Sequence, residues 1–451
     1  TAAATDLTAL DGKTSVNVGA TAVTTITGTQ AQVVAINVGT ITTSGNYAVT
    51  LSDTSLSAAA IKTVNTQNGT GAIDISSVTT ITSSTAADVL EIVNNTNSTF
   101  TTAANYAVTL SGISSASDVN TIVNDTTGIV TATVTEATAA SLNSALVNAS
   151  STDALTLTLT DTALASADDL IALDGKTSVA VNATSVTSVT DTYADINTLY
   201  GLSGISGLGN EAVTISDTTS AANVSGILSK TSGVVTATVT SDTAASLNSA
   251  LTNTTGNDAL TLTVTGTAAA TDLTALDGKT SVNVNAASIS LLTGTIVQVQ
   301  AAYTANTAGT ITGLADRAVK ISDSSVTATD LNNLNSATTG SIDASSVTSI
   351  SGLGSDLVGI YSASGEISGL GTENVSITDT GTLASSTVTS IDAYTTGTVT
   401  LSGAGSLTLS STAGQTVDLS GVTNSLSGTL TINDSTGNEN ITGTSGNDTI
   451  N

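Results

Sequence analysis

The residue types best suited to chemistry lie at the end of the chain. Gly443-Thr444-Ser445-Gly446-Asn447-Asp448-Thr449-Ile450-Asn451 fits the pattern G-G-x-G-x-D-x-U-x (U apolar), with Thr444 in place of the second glycine. A half-copy, Gly437-Asn438-Glu439-Asn440-Ile441-Thr442, precedes it and carries Glu439 where the pattern has Asp. Glycines permit a tight turn and expose carbonyl oxygens, and the carboxylate adds charge. Together they suit a hard, oxygen-seeking cation, Ca2+. The candidate ligands are Gly443, Ser445, Gly446, Asp448 and Glu439. Such an ion takes about six to eight oxygens, so two successive half-turns are needed to complete one site. The competing reading is a Gly/Asn-rich turn that binds nothing by itself.

Other acidic residues recur at equivalent places. Asp53, Asp217, Asp323 and Asp379 follow short alternating segments, where they would cap helices or close turns. A ladder of weak cation sites is the alternative. Asp11, Asp174 and Asp277 sit in Leu-Asp-Gly-Lys turns. The seven tyrosines fall in or near the long connections, where they would plug the wider repeats or, alternatively, stack on glycans. Catalysis has little to work with. There is no His or Cys, and Arg317 is the sole Arg. Paired carboxylates can hydrolyse glycosides, but here the prominent Asp residues repeat along the chain, whereas a catalytic pair occurs once. The expectation is that the protein is not an enzyme.

The net charge is −28, from 7 basic and 35 acidic residues. Phosphate neutralisation needs Lys and Arg, so nucleic-acid binding is not expected. No run is long and apolar enough to span a bilayer, so membrane insertion is not expected either. Aromatics make up only 2% of residues, so the core must be thin and built from Val, Ile, Leu and Ala. The β-branched content and the charged fraction of 9% argue against disorder.

The elements that carry these residues are repeats. Thr1–Val18 recurs unchanged at Thr267–Val284, and an edited copy stands at Ala167–Val181. Because Thr1 aligns with mid-array Thr267, the chain is expected to be part of a longer protein or to have its ends buried by neighbours. Segments such as Ala48–Ser52, Ala107–Ser111, Ala212–Ser216 and Ala318–Ser322 alternate apolar with Thr/Ser, the mark of half-buried strands. After most of them comes a polar cap and about two helical turns, as from Asp217–Ser220 into Ala221, Val224, Ile227 and Leu228. Strand plus short helix at a spacing of about 24 residues predicts parallel strands and right-handed crossovers. The fold class expected is a right-handed parallel β-solenoid with short helices on many coils, all-β toward the C-terminus. A larger period appears where Val130–Leu159 resembles Val235–Val264 at a shift of 105. Three regions follow: a strand-plus-helix array over 1–397, a narrower all-β part over 398–436, and the start of nonapeptide repeats over 437–451.

The nonet and its half-copy resemble haemolysin-type calcium-binding repeats, the repeats-in-toxin family. The body, with tracts such as Leu276-Asp277-Gly278-Lys279-Thr280-Ser281-Val282-Asn283-Val284 and Gly207-Leu208-Gly209-Asn210-Glu211, resembles the β-strand-repeat surface proteins of cyanobacteria and is similar to oscillin-like surface fibril proteins. The resemblance implies secretion and a cell-surface location. It implies a filament, sheath or S-layer-like coat built from copies of the chain with Ca2+. The alternative is the stalk or glycan-binding region of a large adhesin.

Overall fold

The alternating segments are strands and the segments between them are short helices, in a computed structural model that describes residues 1–433, 440–446 and 448–450. The strands of these residues pair in parallel. The chain divides into two compact units, one of 1–217 with 230–234, the other of 218–229 with 235–451.

In the first unit, one sheet pairs Ala2–Ala3, Thr25–Gly28, Ala48–Leu51, Ile73–Ile75 and Phe100–Thr102 in that order. Register is set by burial: Ala2, Ile26, Val49, Ile73 and Phe100 stand opposite one another in successive repeats. Side chains alternate faces along a strand, so Val130, Ala132 and Val134 go inward while Thr131 and Thr133 face solvent. A slip by one residue would expose the aliphatic row. In the second unit the row Val326, Ile350, Val375, Val399 and Val422 repeats the arrangement. Each fully buried aliphatic side chain of this kind stabilises by about 1.5–3 kcal/mol.

Most of the helices begin where a Ser or Thr accepts the N–H of the third helical residue. Thr85, Ser115, Thr138, Thr192, Ser220 and Thr243 all do so. Helices of this length are marginal alone, and each buries one face, as Val224, Ile227 and Leu228 do in Ala221–Leu228. The last helix among the described residues is Ser385–Tyr394, and only strands follow it there. No described helix is long and apolar enough to cross a membrane.

A Thr-x-Gly turn ties one repeat to the next. Thr126 Oγ1 donates to the Tyr106 carbonyl at 2.6 Å and Thr395 Oγ1 to the Glu373 carbonyl at 2.7 Å. The glycine two residues on lies against the same carbonyl: a Cβ would come within 2.3 Å of Tyr106 O at Gly128 and 2.2 Å of Glu373 O at Gly397. Side chains there force the repeats apart. Gly128→Ala and Gly397→Ala are expected to destabilise by about 1–3 kcal/mol each in chemical denaturation. Gly226, inside a helix with nothing within 4 Å of a Cβ, should gain about 0.5–1 kcal/mol on replacement by Ala. Equal effects at the two kinds of site would refute the close-approach argument.

Candidate functional site

Of the five nonapeptide residues, the structure brings Gly443, Ser445, Gly446 and Asp448 into one turn ahead of the strand Asp448–Ile450; Glu439 lies outside the described residues. The Asp448 carboxylate closes this turn itself. Its Oδ2 accepts the Thr444 N–H at 2.5 Å, and its Oδ1 accepts the Thr444 hydroxyl at 2.7 Å and the Asn424 side-chain amide at 3.4 Å. A Cβ at Gly443 would lie 2.5 Å from Asp448 Oδ2, so a larger residue there would displace that carboxylate. Both oxygens thus already face N–H and O–H donors. The described part of the turn offers one carboxylate together with its backbone carbonyls; a calcium ion takes about six to eight oxygens, so a second half-turn is needed to complete a site.

A different acidic group is brought together by the fold. Asp168, Asp191 and Asp195 each place a carboxylate oxygen within 4.8 Å of the others. Asp168 opens the helix Ala167–Asp174, Asp191 ends the neighbouring strand Ser188–Asp191, and Asp195 lies in the first turn of the helix Tyr193–Leu199. Asp191 Oδ2 accepts the Ser166 hydroxyl at 2.9 Å and the Asp168 N–H at 3.3 Å. Asp195 accepts from the Thr192 hydroxyl. The negative charges of Asp191 and then Asp195 push the exposed Asp168 carboxyl above the ordinary carboxylate range. The sequence shows these residues only as strand-end and helix-start acids 23 and 4 positions apart, so their convergence depends on how successive repeats register.

The strand-end aspartates do cap helices, but not the helices that follow them. Asp53 Oδ2 accepts the N–H of Gln30 at 2.6 Å, Asp217 Oδ1 that of Tyr193 at 2.7 Å, Asp323 Oδ2 that of Ile296 at 2.7 Å and Asp379 Oδ2 that of Gly354 at 2.6 Å. Each acceptor therefore serves the first helical residue of the preceding repeat. The reason is parallel register: the strand end of one repeat lies beside the helix start of the one before. The Leu-Asp-Gly-Lys aspartates also reach across, Asp11 to the Thr40 hydroxyl at 2.5 Å and Asp277 to the Thr310 hydroxyl at 2.9 Å.

Among the described residues four acids are buried. Asp153 accepts the Val130 N–H at 3.1 Å and Asp258 the Val235 N–H at 2.9 Å, each again one repeat back. Glu211 and Glu373 sit under the Gly-Leu-Gly turns. Glu373 is 0% exposed; its Oε2 accepts the N–H groups of Gly371 at 2.6 Å and Thr372 at 2.9 Å, and its Oε1 accepts the Tyr361 hydroxyl. Glu211 repeats the pattern with Gly209, Asn210 and Tyr200. Burial first, and the facing carboxylate second, push the Tyr361 and Tyr200 hydroxyls far above their usual value. These glutamates were not apparent in the sequence as functional or structural residues; the signal that finds them is a Tyr 11 or 12 positions before the Glu of a Gly-Leu-Gly-x-Glu tract.

Tyr47, Tyr106, Tyr303 and Tyr361 are buried, filling the wider repeats. Tyr394 is 45% exposed and stacks on Tyr361 with ring centres 5.0 Å apart at 12°. The two rings, with Ile360, Ser364, Ser368 and Leu370, border a cleft of about 400 Å3.

No protein-family model, no curated protein and no solved structure matches this chain.

Two outcomes follow from this chemistry. Glu373→Ala leaves three donors without their acceptor in the interior and should cost about 3 kcal/mol or more. Tyr361→Phe in the same chain should cost less than additively, as measured by a double-mutant cycle. At Asp168 the raised value means the charged form is the disfavoured one in the folded chain. The protonated form's contribution is full below the ordinary aspartate value of about 3.9 and is lost as pH rises above it. Asp168→Asn should therefore raise the melting temperature near neutral pH, and the gain should vanish below that value; a loss at neutral pH would refute the repulsion.

Proposed function

We propose that the chain is a structural protein of the cell surface, secreted and assembled from many copies into an extracellular filament, sheath or S-layer-like coat. In this reading the parallel strand–helix repeats wind as a right-handed solenoid, and the protein has no enzymatic activity. The observation that supports it is where the reactive side chains are spent. Asp153, Asp258, Asp53, Asp217, Asp323 and Asp379 all hold one repeat to the one before it. Their chemistry serves continuity of the array, and a solvent face rich in Thr and Ser is left outside. Ca2+ enters as the counter-ion of a surface with net charge −28, reducing self-repulsion between copies. The turn at Gly443–Asp448 contributes oxygens to it together with residues beyond those described. Strand edges that pair between copies produce open, head-to-tail polymers.

A second reading, the stalk or glycan-binding part of an adhesin, draws on the Tyr361–Tyr394 pair, whose exposed ring borders a cleft with two serines.

The deciding experiment is electron microscopy of the purified chain in about 5–10 mM Ca2+, above the dissociation constants of weak extracellular sites, and again in chelator. Uniform filaments or sheets that dissolve on chelation are expected. Dispersed single particles in both conditions overturn the assembly reading. Binding to a glycan array that Tyr394→Ala abolishes would then establish the second.

A further inference from the structure

The Gly-Leu-Gly turn occurs twice, and the two copies share a frame. In each, a tyrosine hydroxyl donates to the glutamate beneath the turn, Tyr200 to Glu211 and Tyr361 to Glu373. In each, a threonine of the next repeat donates to the carbonyl of that glutamate, Thr231 at 2.6 Å and Thr395 at 2.7 Å. The serine before the turn also matches: Ser206 Oγ donates to Val181 O at 3.0 Å and Ser368 Oγ to Ile342 O at 3.2 Å. The residue before the threonine does not match. It is Lys230 in the first copy and Tyr394 in the second. Its place is the same in both, because its carbonyl lies over the last glycine of the turn, 3.8 Å from a Cβ built at Gly209 and 3.6 Å from one at Gly371.

Among the described residues no other aromatic ring is as exposed as that of Tyr394. One face of this ring lies on Tyr361, so its exposed surface is the other face and the edge. Both rings are held in place. Tyr361 is buried, with its hydroxyl on Glu373. Tyr394 ends the helix Ser385–Tyr394, and the Thr395 bond fixes the chain directly after it. The stacked pair is therefore ordered before a ligand arrives, and little side-chain entropy remains to be lost on binding.

The cleft of about 400 Å3 beside the pair has an apolar floor and a hydroxyl rim. Ile360 and Ile367 are buried, while Ser364 and Ser368 are exposed. Its size lies within the roughly 300–1,000 Å3 of small-ligand pockets. A ligand for it must offer an apolar face to a ring and hydroxyls to two serines. The face of an aromatic ring is its negative side and attracts weakly positive C–H groups. The residues lining the cleft are uncharged, and a chain of net charge −28 repels anions. A neutral hexopyranose meets these conditions, with C–H groups on its ring face and hydroxyls around its edge. A β-linked glucose residue suits them best, because all its hydroxyls are equatorial and its axial positions hold only hydrogen.

We infer that the Tyr361–Tyr394 cleft is a binding site for a neutral hexopyranose, which stacks its C–H face on Tyr394 and bonds its hydroxyls to Ser364 and Ser368. This rests on the glycan-binding reading above and assigns it to one of the two turns. The Lys230 turn has the same frame without the stacking ring and takes no sugar.

The test is saturation-transfer NMR on the full chain, with cellobiose as the probe and cellobiouronic acid as its charged counterpart. Cellobiose C–H protons should take up saturation, and those of the charged sugar much less. Tyr394→Phe keeps the ring and should keep the signal. Tyr394→Lys copies the first turn and should weaken binding by about tenfold, of the order that a stacked ring contributes. Lys230→Tyr added to that chain should restore the signal by giving the other turn the missing ring, which separates loss of the ring from loss of the fold. Equal signals from the unaltered and Tyr394→Lys chains overturn this site and leave the glycan-binding reading standing. A glycan array that shows Tyr394-dependent binding while cellobiose gives no signal overturns the sugar class. Binding by neither method overturns both the site and the reading on which it rests.

Discussion

The architecture depends on side chains of one repeat bonding to the backbone of the repeat before it. A parallel ladder links strands well but leaves helix starts and turn carbonyls to be satisfied by other means. Here Asp53, Asp217, Asp323 and Asp379 reach back to the first N–H of the preceding helix, and Thr126 and Thr395 reach back to a buried carbonyl. These bonds are charge-assisted or buried, which makes them stronger than exposed equivalents. They also fix register, because each donor meets its acceptor only when successive repeats are offset by a whole unit.

That constraint explains the composition. A thin aliphatic core supplies burial but little shape specificity, since Val, Ile and Leu rows could slide past one another. The short polar side chains supply the specificity. Thr and Ser serve as helix caps and as bridges between repeats, and Asp serves where a helix dipole rewards charge. Glycine appears where the chain must pass within van der Waals contact of a neighbouring carbonyl, as at Gly128 and Gly397. The same economy leaves the protein acidic, because the capping groups are carboxylates and few cations offset them. Asp168, Asp191 and Asp195 show the consequence: three helix-start and strand-end acids, each well placed locally, meet as mutually repelling neighbours.

Duplication adds a further property. Thr267–Val284 and its edited copy Ala167–Val181 are covered by equivalent residues, Lys279 bonding to Leu251 O and Lys176 to Leu146 O, and Asp272 and Asp169 each accepting from an Asn of the preceding helix. The interface between repeats is thus a portable module, and its two halves are recognisable as separate sequences. A protein built this way carries the specificity of its joints in the repeats themselves.

Period and polarity were determined by the sequence alone. Alternation at Ala48–Ser52 or Ala212–Ser216 dictates strands with Thr outward, and the pattern at Ala221, Val224, Ile227 and Leu228 dictates a helix beginning after Ser220, because both periodicities follow from local backbone geometry. Parallel pairing follows from a strand recurring after a helix. Which helix each aspartate caps was decided only by the tertiary structure, since Asp217 is closer in sequence to Ala221 than to Tyr193 yet bonds to the latter. The burial of Glu373 against Tyr361, the meeting of Asp168 with Asp191 and Asp195, and the use of Asp448 to close its own turn were decided in the same way. Local pattern specifies what each segment becomes. The partners of a polar side chain are specified by the register between repeats, a distance in space that no single segment encodes.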